Sequence, residues 1–183
     1  MFLPPNPLHL RSLRLSDLPA VITIEQNSFP TPTKEKSYRY ELSENLLAHY
    51  QAATIRRANQ EEQLLGYAGY WLIADEVHIS IIAVDPQWRG RGLGELLLQN
   101  ILNLAYEHAA ALVTLEVRES NQAAQDLYLK YTFEIVGKRR HYYRDIGEDA
   151  ILMTIKLQSN HLYRHFLDQK QKQLYARLSS APF

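Results

Sequence analysis

The 183-residue chain contains no cysteine. That single absence removes a disulfide framework, a thiolate metal site and a cysteine nucleophile. The chain also lacks an excess of either charge, because twenty Lys+Arg balance twenty Asp+Glu for a formal net charge of zero. No global field draws it to nucleic acid or to a membrane, so neither is an expected partner and any basic docking site would be local. Long apolar runs are missing too. The longest wholly apolar stretches fall far short of a membrane span. Residues 1–7 have neither the cationic start nor the apolar core of a signal peptide. The expectation from these absences is a cytoplasmic protein. What remains is ordinary globular material, 46% hydrophobic and 22% charged, in a length that suits one domain with a sizeable core.

Residues 8–15 alternate apolar and polar with a slip of phase at Ser12, which reads as a strand with a bulge. Ser16 or Asp17 can cap a helix carrying Leu18, Val21, Ile22 and Glu25, and Phe29-Pro30-Thr31-Pro32 stops it. Four-residue steps through Tyr38, Leu42, Leu46 and Tyr50 predict a second helix. Residues 64–73 and 77–84 read as a hairpin across Ala74-Asp75-Glu76, and the nearly unbroken apolar run of the second arm marks a central strand. Leu93, Leu96, Leu97, Ile101, Leu104 and Ala105 then keep the helical period, the clearest amphipathic pattern in the chain. Residues 112–118 return to strand, with Val113, Leu115 and Val117 on one face and Thr114, Glu116 and Arg118 on the other. Asn121 can cap a helix in which Ala124, Leu127, Tyr128 and Tyr131 share a face, and residues 134–139 and 150–157 read as two final strands. The tail differs in character. Leu162, Phe166, Leu174 and Leu178 recur at multiples of four among Lys, Arg and Gln, as in an appended amphipathic helix. The expected organisation is therefore one mixed α/β domain over residues 8–157 and a helical extension over 158–183.

Arg89-Gly90-Arg91-Gly92-Leu93-Gly94 sits between the buried strand and the amphipathic helix. A helix N-terminus presents unpaired amides and a partial positive charge. Glycines let that backbone approach a diphosphate, and two arginines add positive potential without any metal. Alone, such a segment is equally a linking turn. A Walker A loop would end in Gly-Lys-Ser/Thr, which is absent, and a dinucleotide fold would place its glycines after the first strand of a repeated β-α-β pattern. The context favours a different pyrophosphate ligand.

Ile82-Ala83-Val84-Asp85-Pro86 followed by Arg89-x-x-Gly92-x-Gly94 resembles the acetyl-CoA signature of the GNAT superfamily of acetyltransferases. Leu115-Glu116-Val117-Arg118-Glu119-Ser120-Asn121, then Ala123-Ala124 and Leu127-Tyr128, look like the RimI-type ribosomal-protein-alanine N-acetyltransferases within it. So do Arg139-Arg140-His141-Tyr142-Tyr143 and residues 147–153. The likeness is close over residues 66–157 and thinner from Leu10, where Ile24-Glu25-Gln26 and Phe29-Pro30 carry it. It implies the GNAT fold, a central mostly antiparallel sheet with a splay, flanked by helices. It further implies acetyl-CoA as co-substrate, held by the backbone of Ile82, Ala83 and Val84 and by the loop Arg89, Gly90, Arg91, Gly92, Leu93, Gly94 and Glu95, with Asn121 in contact. Glu116 would be the general base and Tyr128 the general acid. Tyr142 and Tyr143, grouped with Tyr131, would form one wall of an acceptor groove, and Phe29 and Pro30 the other. The acceptor implied is a protein N-terminus, with the N-terminal alanine of a small-subunit ribosomal protein suggested. One departure is Thr132, where the family usually has glycine before Phe133 and a helix C-terminus often needs positive φ.

The chemistry is compatible with those groups and does not by itself select them. By periodicity Glu116 is equally a solvated strand residue beside Arg118, Tyr128 a core tyrosine and Asn121 a plain N-cap. A peptide α-amine titrates near about 8 and a lysine near about 10.4, so the N-terminus is the easier nucleophile at neutral pH. Lysine side chains or small amines remain alternative acceptors, as does a regulatory protein that binds acetyl-CoA without turnover. His161 and His165 stand at i, i+4 without a third ligand, so no metal is expected. The tail, with Arg164, Lys170, Lys172 and Arg177 against Asp168, can pack on its own domain, on a dimer mate, or on an RNA or protein partner.

Overall fold

The structure, a computed structural model, describes residues 7–57, 61–157, 161–181 and 183. The N-terminal segment weighed above as a possible leader lies almost wholly outside them. Among the described residues seven strands form one sheet, β1 (Leu8–Ser12), β2 (Ala48–Arg56), β3 (Glu62–Ile73), β4 (Glu76–Val84), β5 (Leu112–Arg118), β6 (Glu134–Tyr143) and β7 (Glu148–Lys156). The helices are α1 (Leu18–Ser28), α2 (Glu35–Ser43), α3 (Leu93–Glu107), α4 (Gln122–Lys130) and α5 (His161–Ser180). Strand order is β1-β2-β3-β4-β5-β7-β6. Every neighbouring pair is antiparallel except β4 and β5.

Side-chain alternation divides the core between two faces of the sheet. Ala52 and Tyr67 join Leu18, Val21, Ile24 and Tyr38 under α1 and α2. Their neighbours Ala53 and Ala68 join Leu97, Ile101, Leu115 and Tyr128 under α3 and α4. The period of two along each strand is the cause, since successive residues point to opposite faces.

Two elements differ from the sequence expectation. Residues 46–50 are not helical. α2 stops at Ser43, where the Asn45 side chain accepts from the Leu47 amide at 3.1 Å and turns the chain. Leu46 is then 92% exposed, and Tyr50 lies in β2 paired with Gly69. β2 is flanked by β1 and β3 and covered on both faces, so it shows no clean alternation, and the chance four-residue spacing won the sequence reading. The phase slip at Ser12 is the end of β1 rather than a bulge, because a 3-10 turn over Leu15–Asp17 follows. Register shifts fall instead in the β2–β3, β3–β4 and β6–β7 ladders; at the site-forming one, on β4, Gly69 pairs with Ile81 and Tyr70 with Ile79, leaving Ser80 as the extra residue.

The β4–β5 ladder is short. It joins Glu76 to Leu112, Val77 to Val113, His78 to Thr114 and Ile79 to Leu115, and then stops. Beyond Ile79 and Leu115 the two strands diverge, which is the expected splay. An edge of β4 and an edge of β5 are thereby left without a strand partner in the middle of the sheet.

Candidate active site

A cavity of about 700 Å³ opens at that splay. Its floor is Ile79 to Ile82 of β4 and Leu115 to Arg118 of β5, and its walls come from α1, α4 and the end of β6. Glu116, Tyr128, Asn121, Ile82, Phe29, Pro30, Tyr142 and Tyr143 all line it. Eight side chains named from the sequence thus meet in one place, drawn from five separated segments.

Glu116 is 5% exposed at its side chain and meets the Arg139 guanidinium at 2.9 Å and His78 Nε2 at 3.2 Å. Its expected partner Arg118 does not reach it. Arg118 pairs instead with Asp145 at 2.7 Å and Glu148 at 3.2 Å, and its guanidinium lies 4.0 Å over the Tyr143 ring. Alternation does place residues 116 and 118 on one face, but the turn after β6 brings two acids closer to Arg118 than Glu116 is. Sequence reasoning missed His78, which reaches Glu116 across the fork and stacks on Trp71 at 5.4 Å. Its only local signal is a polar residue within a mostly apolar strand.

Tyr128 is buried at 8% exposure and tilts on Phe133. Burial, aided by the nearby Tyr143 hydroxyl, raises its pKa well above the usual phenol value, so the hydroxyl stays protonated at neutral pH. Asn121 caps α4, its side chain accepting from the Ala124 amide at 3.2 Å while the residue lines the cavity. Tyr142 and Tyr143 meet edge to face at 5.1 Å. The Tyr143 hydroxyl donates to the Glu116 carbonyl at 3.3 Å, and burial pushes its pKa up to about 12. Tyr131 is not part of this pair. It is fully buried at the C-terminal end of α4, where it meets Phe166 and donates to Glu95.

On the facing wall, Glu25 is 1% exposed and accepts from Tyr38 at 2.7 Å, Tyr67 at 2.5 Å and the Thr33 amide at 2.6 Å. Those bonds pin the chain that carries Phe29 and Pro30. Glu25 borders the cavity as well, and only its place in a familiar Ile24-Glu25-Gln26 triplet hinted at it.

The glycine loop lies beside the cavity rather than in its lining. Gly90 and Gly92 have φ of +75° and +87°, a left-handed backbone that glycine adopts without strain. Among the described residues, no atom outside its chain neighbours stands within 4 Å of where a Cβ on Gly90 would be. The first intrahelical bond of α3 runs from the Leu96 amide to the Gly92 carbonyl, so the amides of Leu93, Gly94 and Glu95 precede it without an intrahelical acceptor. A diphosphate fits such a concave set of donors. Arg89 ties the loop to the cavity, donating to the Val84 carbonyl at 3.1 Å and to Ser28 of the cavity wall at 2.7 Å. The Val84 carbonyl thus already has one partner, and Ala83 is buried under α1. Of the three β4 residues expected to meet a coenzyme, Ile82 alone borders the cavity. The Glu95 side chain turns inward to Lys130 at 2.6 Å and Arg177 at 2.7 Å, so it offers a phosphate only its amide.

The cavity thus brings a carboxylate and a protonated tyrosine together, and a row of helix-start amides lies beside it. The chain belongs to the acetyltransferase (GNAT) family, which it matches over residues 18–133, and it is an acetyltransferase. It is 39% identical over 148 residues to a putative ribosomal protein bS18-alanine N-acetyltransferase of Bacillus subtilis, covering 81% of this chain and 95% of that one. The crystal structure of the ribosomal-protein-S18-alanine N-acetyltransferase from Escherichia coli superposes with a TM-score of 0.73 at 32% identity, over 84% of this chain and 96% of that one. The fold is also shared with Arabidopsis thaliana NAA60, solved in complex with acetyl-CoA, at a TM-score of 0.73 and 18% identity over 82% and 98% of the two chains.

Proposed function

We propose that the chain transfers an acetyl group from acetyl-CoA to the α-amine of a protein N-terminus by direct attack in a ternary complex. The observation that carries this is the meeting of Glu116 and Tyr128 in one cavity at the β4–β5 fork, next to the amide cradle of residues 90–95. Bound acetyl-CoA supplies an activated thioester carbonyl. The loop amides hold its diphosphate, Arg89 and Arg91 add positive potential nearby, and the free edge of β4 at Ile82 aligns the pantetheine arm. Glu116, fixed in orientation by Arg139 and His78, takes the proton of the incoming amine. Tyr128 delivers its hydroxyl proton to the departing sulfur, a role that requires the phenol to be protonated, as its burial ensures.

A peptide enters between Phe29 and Pro30 on one side and Tyr142 and Tyr143 on the other. These rings grip backbone and leave the terminal amine to reach Glu116. The bacterial relatives named for the N-terminal alanine of ribosomal protein bS18 support that acceptor, and with it a cytoplasmic setting. Among the described residues no helix is long and apolar enough to cross a membrane. The catalytic unit spans residues 8–157, and residues 158–183 extend it.

A peptide-library acetylation assay that scores α- against ε-amine products tests this reading. Products on the α-amine should dominate, with alanine among the accepted first residues. Predominant lysine acetylation would contradict it, as would acetyl-CoA binding with no transfer to any amine.

A further inference from the structure

The contacts of α5 converge on the phosphate loop. Leu174 and Leu178 are fully buried and share a cluster with Leu93, Leu96 and Leu8. A Cβ on Gly92 would stand 3.4 Å from a methyl carbon of each leucine, so the left-handed turn of the loop rests directly on α5. On the same face of α5, Arg177 reaches Glu95 at 2.7 Å. Past the helix end, Phe183 stacks on Trp88 at 6.2 Å, and Trp88 in turn carries the Arg91 guanidinium 4.7 Å above its ring. Three successive parts of the loop region, Trp88, Gly92 and Glu95, therefore each have a partner in residues 174–183.

The charge arrangement gives these contacts a direction. Glu95 stands in the first turn of α3, where a carboxylate would oppose an incoming diphosphate. Burial would raise its pKa, but hydrogen bonds from Lys130 and Arg177 outweigh that and hold it below the usual carboxylate range. With both cations present, the local sum of Glu95, Lys130 and Arg177 is positive. Without Arg177 it is zero.

We infer that α5 is a working part of the coenzyme site. Leu174 and Leu178 seat Gly92, and Arg177 offsets Glu95, so acetyl-CoA affinity depends on this helix. These are positioning residues, and the inference rests on reading residues 89–95 as the diphosphate loop. A helix that merely thickened the core would contribute stability without favouring one substrate.

Calorimetry with acetyl-CoA on the full chain, at low and high salt, separates the two. Arg177→Gln should weaken acetyl-CoA binding about three-fold, more at low salt than at high, and Arg177→Lys should restore it. Leu178→Ala should weaken binding through the loop's shape with no salt dependence. In both, the acceptor KM and the turnover at saturating acetyl-CoA should hold. Variants that lose thermal stability yet bind acetyl-CoA like the parent would overturn the inference, as would a parallel change in acceptor KM. Failure of the unsubstituted chain to bind acetyl-CoA would instead remove the loop reading itself.

Discussion

The two ends of the cleft are built by different means. The proposed coenzyme end is made of backbone: successive amides, two glycines at positive φ and a helix terminus, all within residues 89–96. The proposed acceptor end is made of side chains gathered from β4, β5, β6, α1 and α4. A backbone site is specified by local sequence, because glycine spacing and a helix start suffice to create it. A side-chain site is specified by topology, because its members meet only when β4 and β5 part company after Ile79 and Leu115. Substitutions at the two ends should accordingly fail in different ways.

The largest effect should come at the acceptor end. Glu116→Gln should lower turnover on a peptide acceptor on the order of 100-fold, and Tyr128→Phe should lower it by a similar order. Acetyl-CoA affinity should stay near that of the parent in both. If either change abolished coenzyme binding, the division between the two ends would fall.

At the coenzyme end the expected pattern reverses. Gly92→Ala forces a Cβ into a left-handed position against Leu174 and Leu178. It should weaken acetyl-CoA binding about five-fold, the equivalent of about 1 kcal/mol of strain at the loop. Turnover at saturation should stay within a few-fold. Equal losses in both quantities would blur the contrast drawn here.

Glu95→Gln sharpens it through pH. The folded carboxyl lies below its ordinary value of 4.5. Its contribution to stability is therefore fully present above that value and lost as pH falls through the folded pKa. Acid unfolding of the parent should show this loss below about pH 4.5, and the Gln variant should start about 1 kcal/mol less stable with a flatter acid limb. Identical acid limbs would show that Glu95 gains nothing from Lys130 and Arg177.

The smallest effect concerns Thr132, whose φ of +65° is unusual for a β-branched residue. Thr132→Gly should raise stability by about 1 kcal/mol, seen as a Tm higher by about 3 °C, with kinetics unchanged. A lower Tm would mean that the contact of Thr132 with the Tyr163 hydroxyl outweighs the strain.

The same contrast governs how much was legible beforehand. The loop and α3 follow from spacing and periodicity in one stretch, the mixed α/β class from the order of such stretches, and the splayed antiparallel sheet from the family resemblance alone. Glu116 and Tyr128 became candidates only through a family resemblance, since their own neighbourhoods read as an ordinary strand and an ordinary core. His78 as a partner of Glu116 was invisible, because nothing in residues 77–84 says which strand will lie alongside. Arg118 misled for the complementary reason. Its place in β5 was right, but Asp145 and Glu148 arrive from a turn whose path the sequence does not reveal. β2 was lost because burial on both faces erases the alternation by which strands are read. Leu98, fully buried although outside the α3 stripe, is explained once a second helix covers α3. The 3.3 Å bond from Gln99 to the Leu167 carbonyl locates that helix as α5.

The most direct test is a crystal structure with a bisubstrate analogue joining coenzyme A to a peptide α-amine. The diphosphate should lie on the amides of residues 90–95, with the sulfur in hydrogen-bonding reach of the Tyr128 hydroxyl and the peptide nitrogen directed at Glu116. A diphosphate bound away from the loop, or a sulfur remote from both side chains, would contradict the account.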